Sequence, residues 1–242
     1  MAGSQVREQW TRSKVLDEAI PKLRQALAYH ANEEEHTFPI FPPKIHEEVW
    51  QTVSIDHARK AAVLVPLVSF EGVPSLLFTM RSSNLPTHAS EVSFPGGHFE
   101  EGIDATLEET AIRETREELL GDYPWEDIEI IGRASAVPSA KGTPVTPIVG
   151  VLPYEISHNS FPGSPDEVDE VFCVALSDLI NIETAEPSKR FKSLIPVFPT
   201  REGRKIWGLT AAVTKPLLHK LFKPIFLSEE GKEDTTYPSS NL

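Results

Sequence analysis

A glycine pair that closes a strand-like segment, followed by a helix carrying Arg-Glu-x-x-Glu-Glu, constrains this chain more than any other feature. The residues are Gly96-Gly97-His98 and then Arg113-Glu114-Thr115-Arg116-Glu117-Glu118. Glu114 and Glu118 stand one helical turn apart, and Glu114 and Glu117 nearly so. Three carboxylates therefore share adjoining parts of one helix surface. Ala111, Ile112, Thr115 and Leu119 fall on a second face, at i, i+1, i+4 and i+8. The pattern predicts a helix that packs one side on a core and keeps the carboxylates at a wet, anionic surface. Concentrated oxygen ligands of this kind suit Mg²⁺ or Mn²⁺. A solvated acidic helix with casual pairs such as Arg113 to Glu117 is the plainer alternative.

Around this helix the chain reads as three parts. Residues 1–56 form an N-terminal helical extension and linker. The helix covers about 13–30, with Leu16, Ala19, Ile20, Leu23, Ala26 and Leu27 on its apolar face, and Pro21 at a kink or at its true start. Residues 33–43, rich in acids and prolines, read as linker. Residues 57–222 form the main domain. An apolar run over 61–70, a turn at Glu71-Gly72-Val73-Pro74 and a second run over 75–81 make a hairpin. Further strands are expected over 128–136, 145–152 and 170–176, the last leading into a short helix at 177–180 with Ser177 as N-cap. Residues 191–198 and 205–207 suggest a late hairpin, and 210–222 a helix with Pro216 at a kink or boundary. Residues 223–242 read as a loose, polar tail. Mixed strands around one acidic helix suggest an α+β layered domain.

Length and charge narrow the function. The 242 residues suffice for one sizeable domain with extensions, or for two small ones. A net charge of −13 argues against nucleic-acid binding through a broad basic surface. An acidic enzyme with an anionic substrate needs local positive charge, which bound metal supplies. Cys173 is the only cysteine, so no intrachain disulfide forms, which suits a reducing, intracellular setting. It sits in an apolar run and reads as a buried structural thiol. No run reaches membrane-spanning length. The location is read as cytoplasmic by default. The Arg7, Arg12 and Lys14 cluster leaves a mitochondrial address as an alternative, and Ser240-Asn241-Leu242 a peroxisomal one. The sequence does not fix the oligomeric state, a homodimer included. Scattered histidines and one cysteine give no zinc pattern, and neither a Gly-x-Ser-x-Gly elbow nor a phosphate-loop lysine is present.

The glycine–glutamate run resembles the Nudix box, G-x5-E-x7-R-E-U-x-E-E-x-G-U with U a bulky aliphatic residue, at Gly97, Arg113, Glu114, Glu117 and Glu118. The stretch from Gly97 to Arg113 is longer than the pattern, and Asp104 is the acid nearest to the missing early glutamate. Thr115 replaces the aliphatic residue, and Leu119-Leu120-Gly121 carries one residue too many. Directly upstream, Leu77-Phe78-Thr79-Met80-Arg81-Ser82 and Phe94-Pro95-Gly96-Gly97 resemble, in register, the motif L-L-T-x-R-[SA]-x3-R-x3-G-x3-F-P-G-G of the coenzyme A pyrophosphatase branch. Phe78 stands for a leucine there, Pro86 for an arginine and Ser90 for a glycine. The two motifs together cover about 45 residues, beyond chance.

The resemblance implies an α/β/α sandwich with a mixed sheet, over about residues 57–222, and metal-assisted hydrolysis of a diphosphate bond. By that implication Glu114 and Glu118 hold Mg²⁺ or Mn²⁺, Glu117 binds a second ion or accepts a proton, and Arg113 orients the carboxylates. Arg81, Gly96, Gly97, His98 and Lys141 form the substrate side. Glu167 and Glu170 both resemble the placement of a glutamate that completes the metal site or acts as base. Coenzyme A or acyl-coenzyme A is the implied substrate. The alternatives are another nucleoside diphosphate derivative, such as ADP-ribose or NADH, and a non-catalytic nucleotide-binding module. Ile206-Trp207-Gly208-Leu209-Thr210 also resembles a segment of that branch and reads as an aromatic anchor and turn into a helix.

Overall fold

The computed structural model describes residues 10–31, 36–56, 58–188 and 193–227. Its elements in chain order are α1 (Lys14–His30), α2 (Pro43–Gln51), β1 (Ala61–Phe70), β2 (Val73–Arg81), β3 (Val92–Ser93), β4 (Gly96–His98), α3 (Leu107–Leu119), β5 (Glu129–Arg133), β6 (Val137–Pro138), β7 (Pro144–Ile156), β8 (Val168–Ala175), α4 (Leu176–Ile182), β9 (Thr184–Pro187), β10 (Leu194–Pro199), β11 (Lys205–Ile206), α5 (Gly208–Leu217) and α6 (Lys223–Phe226).

The apolar run of β1 is buried on both faces and lies at the centre of an eight-stranded mixed sheet. It pairs parallel with β7 along its length and antiparallel with β2 only at the hairpin end, from Leu67↔Leu76 to Phe70↔Val73. Beyond that point the two strands part, and the Phe94-Pro95 bend fills the fork. β3 pairs with β2 at Thr79↔Ser93, and β4 pairs with β1 at Ala61↔His98. Leu64 N–H donates to the Pro95 carbonyl at 2.9 Å, fastening the bend between them.

Side chains alternate across the sheet as strand geometry requires. Ala62, Leu64 and Val68 join Ala111 and Leu119 of α3 in one apolar cluster. Val65 and Leu67 join Leu16 and Leu23 of α1 and Leu217 and Phe222 near α5 in another. Helices thus cover both faces, the sandwich expected. β9, β10 and β11 form a separate small antiparallel sheet.

Several local expectations change. Pro21 neither starts nor ends α1, which runs through it with the proline on an exposed position. The segment expected as linker packs tightly where it is described, although Glu33 to Glu35 lie outside the described residues. Phe38 is fully buried, accepts from Ser135 N–H at 2.8 Å and donates to the Arg133 carbonyl at 2.9 Å. Burying such a ring stabilises the fold by roughly 1.5–3 kcal/mol. Prolines suppress periodicity without preventing burial, which is why the segment read as loose. α2, with Pro43 in its first turn, was not anticipated. The N-cap of α4 is Ala175, and Ser177 lies inside the helix. α5 is α-helical through Pro216 and then widens into a π-turn at Leu218–Phe222, which leads into α6. Most of the expected polar tail lies outside the described residues, as does Arg7.

Candidate active site

α3 begins with Thr106, whose hydroxyl accepts from Glu109 N–H at 3.2 Å, while the Glu109 carboxylate accepts from Ala105 N–H at 2.7 Å. This is close to a capping box, legible as Thr-x-x-Glu. The helix lies along β1 and β4, and Gly97 explains the closeness. A Cβ at Gly97 would stand 2.4 Å from the Glu114 carboxylate. At Gly96, with φ +149°, a Cβ would meet the Ala62 carbonyl at 2.3 Å. The first glycine admits the backbone of β1 and the second admits the carboxylate.

Arg113 is the hub of the helix's amino half. Its Nε and one terminal nitrogen grip both oxygens of Asp104 at 2.9 and 3.0 Å. It also reaches Glu114 at 3.0 Å, Glu117 at 3.2 Å and the His98 carbonyl at 3.1 Å. Arg113 hydrogen bonding holds the Asp104 carboxyl down at about 2, and the same pairing raises Arg113 further. Asp104, one residue beyond where the pattern counted from Gly97 has its early glutamate, is therefore the partner of the motif arginine.

The carboxyl half differs. Glu118 was expected on the wet face, yet it is only 4% exposed. Oε1 faces the Arg81 guanidinium at 4.0 Å, beyond a normal hydrogen bond, and the buried Oε2 has no hydrogen-bond partner among the described residues. The buried Arg81 Nε likewise has none. Burial pushes the Glu118 carboxyl up to about 8, against the pull of Arg81 and with the charges of Glu167 and Glu114 adding to the rise. Burial also raises Glu114, opposed by Arg113. Glu117 stays more than half exposed beside them.

Glu167 and Glu170 separate clearly. Glu167 acts electrostatically on both Glu114 and Glu118. Its carbonyl accepts from Ser82 N–H at 2.8 Å, next to Arg81. Glu170 is engaged by Arg204 in a two-pronged ion pair. His98 contributes its carbonyl to Arg113 and leaves its ring exposed. Lys141 is exposed at the tip of the β6–β7 hairpin, two strands from β4 through Ala61↔Val145 and Ala61↔His98. The glycine beside it is required by packing: a Cβ at Gly142 would meet the Ser54 carbonyl at 1.9 Å, and its N–H donates to Ser139.

A model of the NUDIX domain matches residues 58–194. The chain is 35% identical to the Nudix hydrolase NudL of Photorhabdus laumondii, over 69% of this chain and 87% of that protein. The chain belongs to the Nudix hydrolase family. It is also 40% identical to the human mitochondrial coenzyme A diphosphatase NUDT8, over 66% of this chain and 69% of that protein. Among solved structures, a C. elegans Ap4A hydrolase binary complex is 25% identical over 51% of this chain and 85% of that one, with a TM-score of 0.40.

Nudix hydrolases generally act with a divalent metal. Among the described residues of this Nudix chain, no three acidic, histidine or cysteine side chains are already gathered closely enough to hold an ion. The donor set nonetheless fits a hard cation. An unpartnered buried carboxylate oxygen, a second carboxylate cradled by Gly97 and mutually repelling acids nearby are the groups that a divalent ion would satisfy. No helix among the described residues is long and apolar enough to cross a membrane.

Proposed function

We propose that this chain hydrolyses the diphosphate bond of coenzyme A or an acyl derivative, giving 3′,5′-ADP and (acyl-)4′-phosphopantetheine. The observation that carries the reading is Glu118: a buried carboxylate with an unpartnered oxygen, set against Arg81 at the end of the strand that holds the upstream motif. The name of the human relative supports the coenzyme A end of the reading.

Glu114 and Glu118 would hold Mg²⁺ or Mn²⁺, with Glu117 serving a second ion. A bound divalent ion neutralises phosphate charge and lowers the pKa of water. Arg81 orients a phosphate oxygen through the guanidinium nitrogens that its neighbours leave free. Glu167, the loop acid that acts on both ligands, accepts a proton from the attacking water, with Glu117 as the other acceptor. Water oxygen bonds to phosphorus as the bridging P–O bond breaks, and the electron pair leaves on the departing phosphate. Arg113 does not touch substrate; it fixes Glu114 and Glu117. Gly96 and Gly97 admit the backbone and the carboxylate, and His98 and Lys141 complete the substrate side. Residues 57–222 carry this activity, in an intracellular compartment that keeps Cys173 reduced.

The test incubates purified protein with Mg²⁺ or Mn²⁺ and coenzyme A, acyl-coenzyme A, ADP-ribose, NADH and nucleoside triphosphates, with Glu117→Gln and Glu118→Gln as controls. Release of 3′,5′-ADP that both substitutions abolish is the expected result. Cleavage of ADP-ribose or NADH alone would discard the coenzyme A reading, to which Pro86 in place of the motif arginine already runs counter. Tight ligand binding without any turnover would make the chain a binding module.

A further inference from the structure

A hollow of about 180 Å³ lies beside β8, which among the described residues pairs only with β2. Leu77, Val171 and Cys173 line it, with Phe161, His158 and Arg204 around them. Two features tie it to the carboxylate site. The first is strand register. Leu77 and Arg81 project from the same face of β2, four residues apart, so the hollow begins roughly 13 Å from the Arg81 position. Cys173 and Val171 are the β8 partners of Leu77 and Thr79 along that line. The second is a shared loop. The segment from 157 to 167 carries His158 and Phe161 at the hollow and Glu167 at the acids. It is pinned between them by Ser164 N–H to the Glu118 carbonyl at 2.7 Å and Gly163 N–H to the Leu119 carbonyl at 3.0 Å.

The chemistry of the hollow excludes a second phosphate. Arg204 is committed to Glu170 and Glu202 and lies 4.3 Å over the Phe172 ring. Burial pushes the Cys173 thiol up to about 12, so it stays neutral. The volume is below the roughly 300 Å³ at which pockets begin to enclose a whole small ligand. It suits one uncharged end of a longer molecule.

We propose that this hollow receives the acyl chain of an acyl thioester whose diphosphate lies at Arg81 and Glu118, and so sets chain-length preference. The inference rests on the diphosphatase reading above. In this proposal the arm covers the roughly 13 Å from Arg81 to the hollow, and the chain ends against Leu77 and Cys173.

The test compares kcat/KM for coenzyme A and its acetyl, hexanoyl and lauroyl thioesters in the wild type, in His158→Trp and in Cys173→Phe. His158 is exposed, so its replacement narrows the mouth without touching the core. Both variants are expected to lose at least about tenfold in kcat/KM on the hexanoyl thioester, mostly through KM, the scale of a few methylenes denied a pocket. Coenzyme A itself should change less than about twofold, which also shows that each variant is folded. Turnover whose chain-length preference neither variant alters would overturn the hollow alone. Absence of turnover on every thioester in the wild type would overturn the diphosphatase reading beneath it.

Discussion

At the amino end of α3 the buried acid is closely paired, whereas at the carboxyl end, among the described residues, the buried acid is only loosely faced by a cation. Asp104, whose side chain is 2% exposed, is gripped at two points by Arg113, which also braces Glu114 and Glu117. One turn later Glu118 is as deeply placed, yet among the described residues its nearest cation is 4.0 Å away and one oxygen has no hydrogen-bond partner. Both are buried acids, one in the loop just before α3 and one in its last turn. A buried charge that is fully hydrogen-bonded belongs to the architecture. One left unsatisfied costs stability, which accords with the metal-holding role proposed for Glu118.

The largest effect expected from this contrast is on turnover. Glu114→Gln and Glu118→Gln should each lower kcat by about a thousandfold or more, equivalent to roughly 4 kcal/mol of transition-state stabilisation. Glu118→Gln should at the same time raise the metal-free stability at neutral pH by about 1–2 kcal/mol in chemical unfolding, since it removes a carboxyl that burial forces to take up a proton, without changing shape. A Glu118→Gln protein that is less stable than the wild type without metal would break the comparison.

Next in size is the amino end. Arg113→Met strands Asp104 in the interior and should cost about 3–5 kcal/mol, the usual penalty for breaking one side of a buried pair. Arg81→Met should cost distinctly less, because its geometry with Glu118 is poor. Equal losses in the two variants would show that the difference in pairing has no energetic weight.

Acid unfolding sharpens the same point. The folded-state pKa of Asp104 is depressed to about 2, so its contribution is present above the ordinary carboxylate value near 4 and is lost as pH falls from there through 2. The loss amounts to roughly 2 kcal/mol. Asp104→Asn should flatten the stability curve in that window, measured by urea unfolding between pH 4 and pH 2.

The legible parts of this molecule were those written in local spacing. The carboxylates at i, i+3 and i+4, the β1–β2 hairpin and the apolar stripe of α1 are local patterns, and they appear where the spacing puts them. The strap through Phe38 was hidden because its burial depends on Arg133 and Ser135, about a hundred residues away. Asp104 has no aligned place in the motif because the lengthened loop breaks register, and its contact with Arg113 emerges only in three dimensions. Glu167 and Glu170 could not be told apart because Arg204, which engages the second, comes from a distant turn. Ser90, where the motif has glycine, explains itself only through its backbone, at φ +56°.

The smallest expected effect concerns how α3 ends. Its start is conventionally capped by Thr106, but Leu120 just past its end lies at φ +55°, ψ −172°, a region kept almost entirely for glycine. This residue is the extra one between Leu119 and Gly121, and its side chain is 39% exposed, so little packing offsets the strain. Leu120→Gly should stabilise the fold by about 1 kcal/mol, as relief of a strained position less the added chain freedom of glycine. Thermal unfolding gives the stability and turnover gives the meaning. Gained stability with unchanged kcat makes the strain a tolerated consequence of one inserted residue. Gained stability with reduced kcat makes it part of how the helix end presses Glu118 and the Glu167 loop together, which extends the contrast between the two ends from charges to backbone.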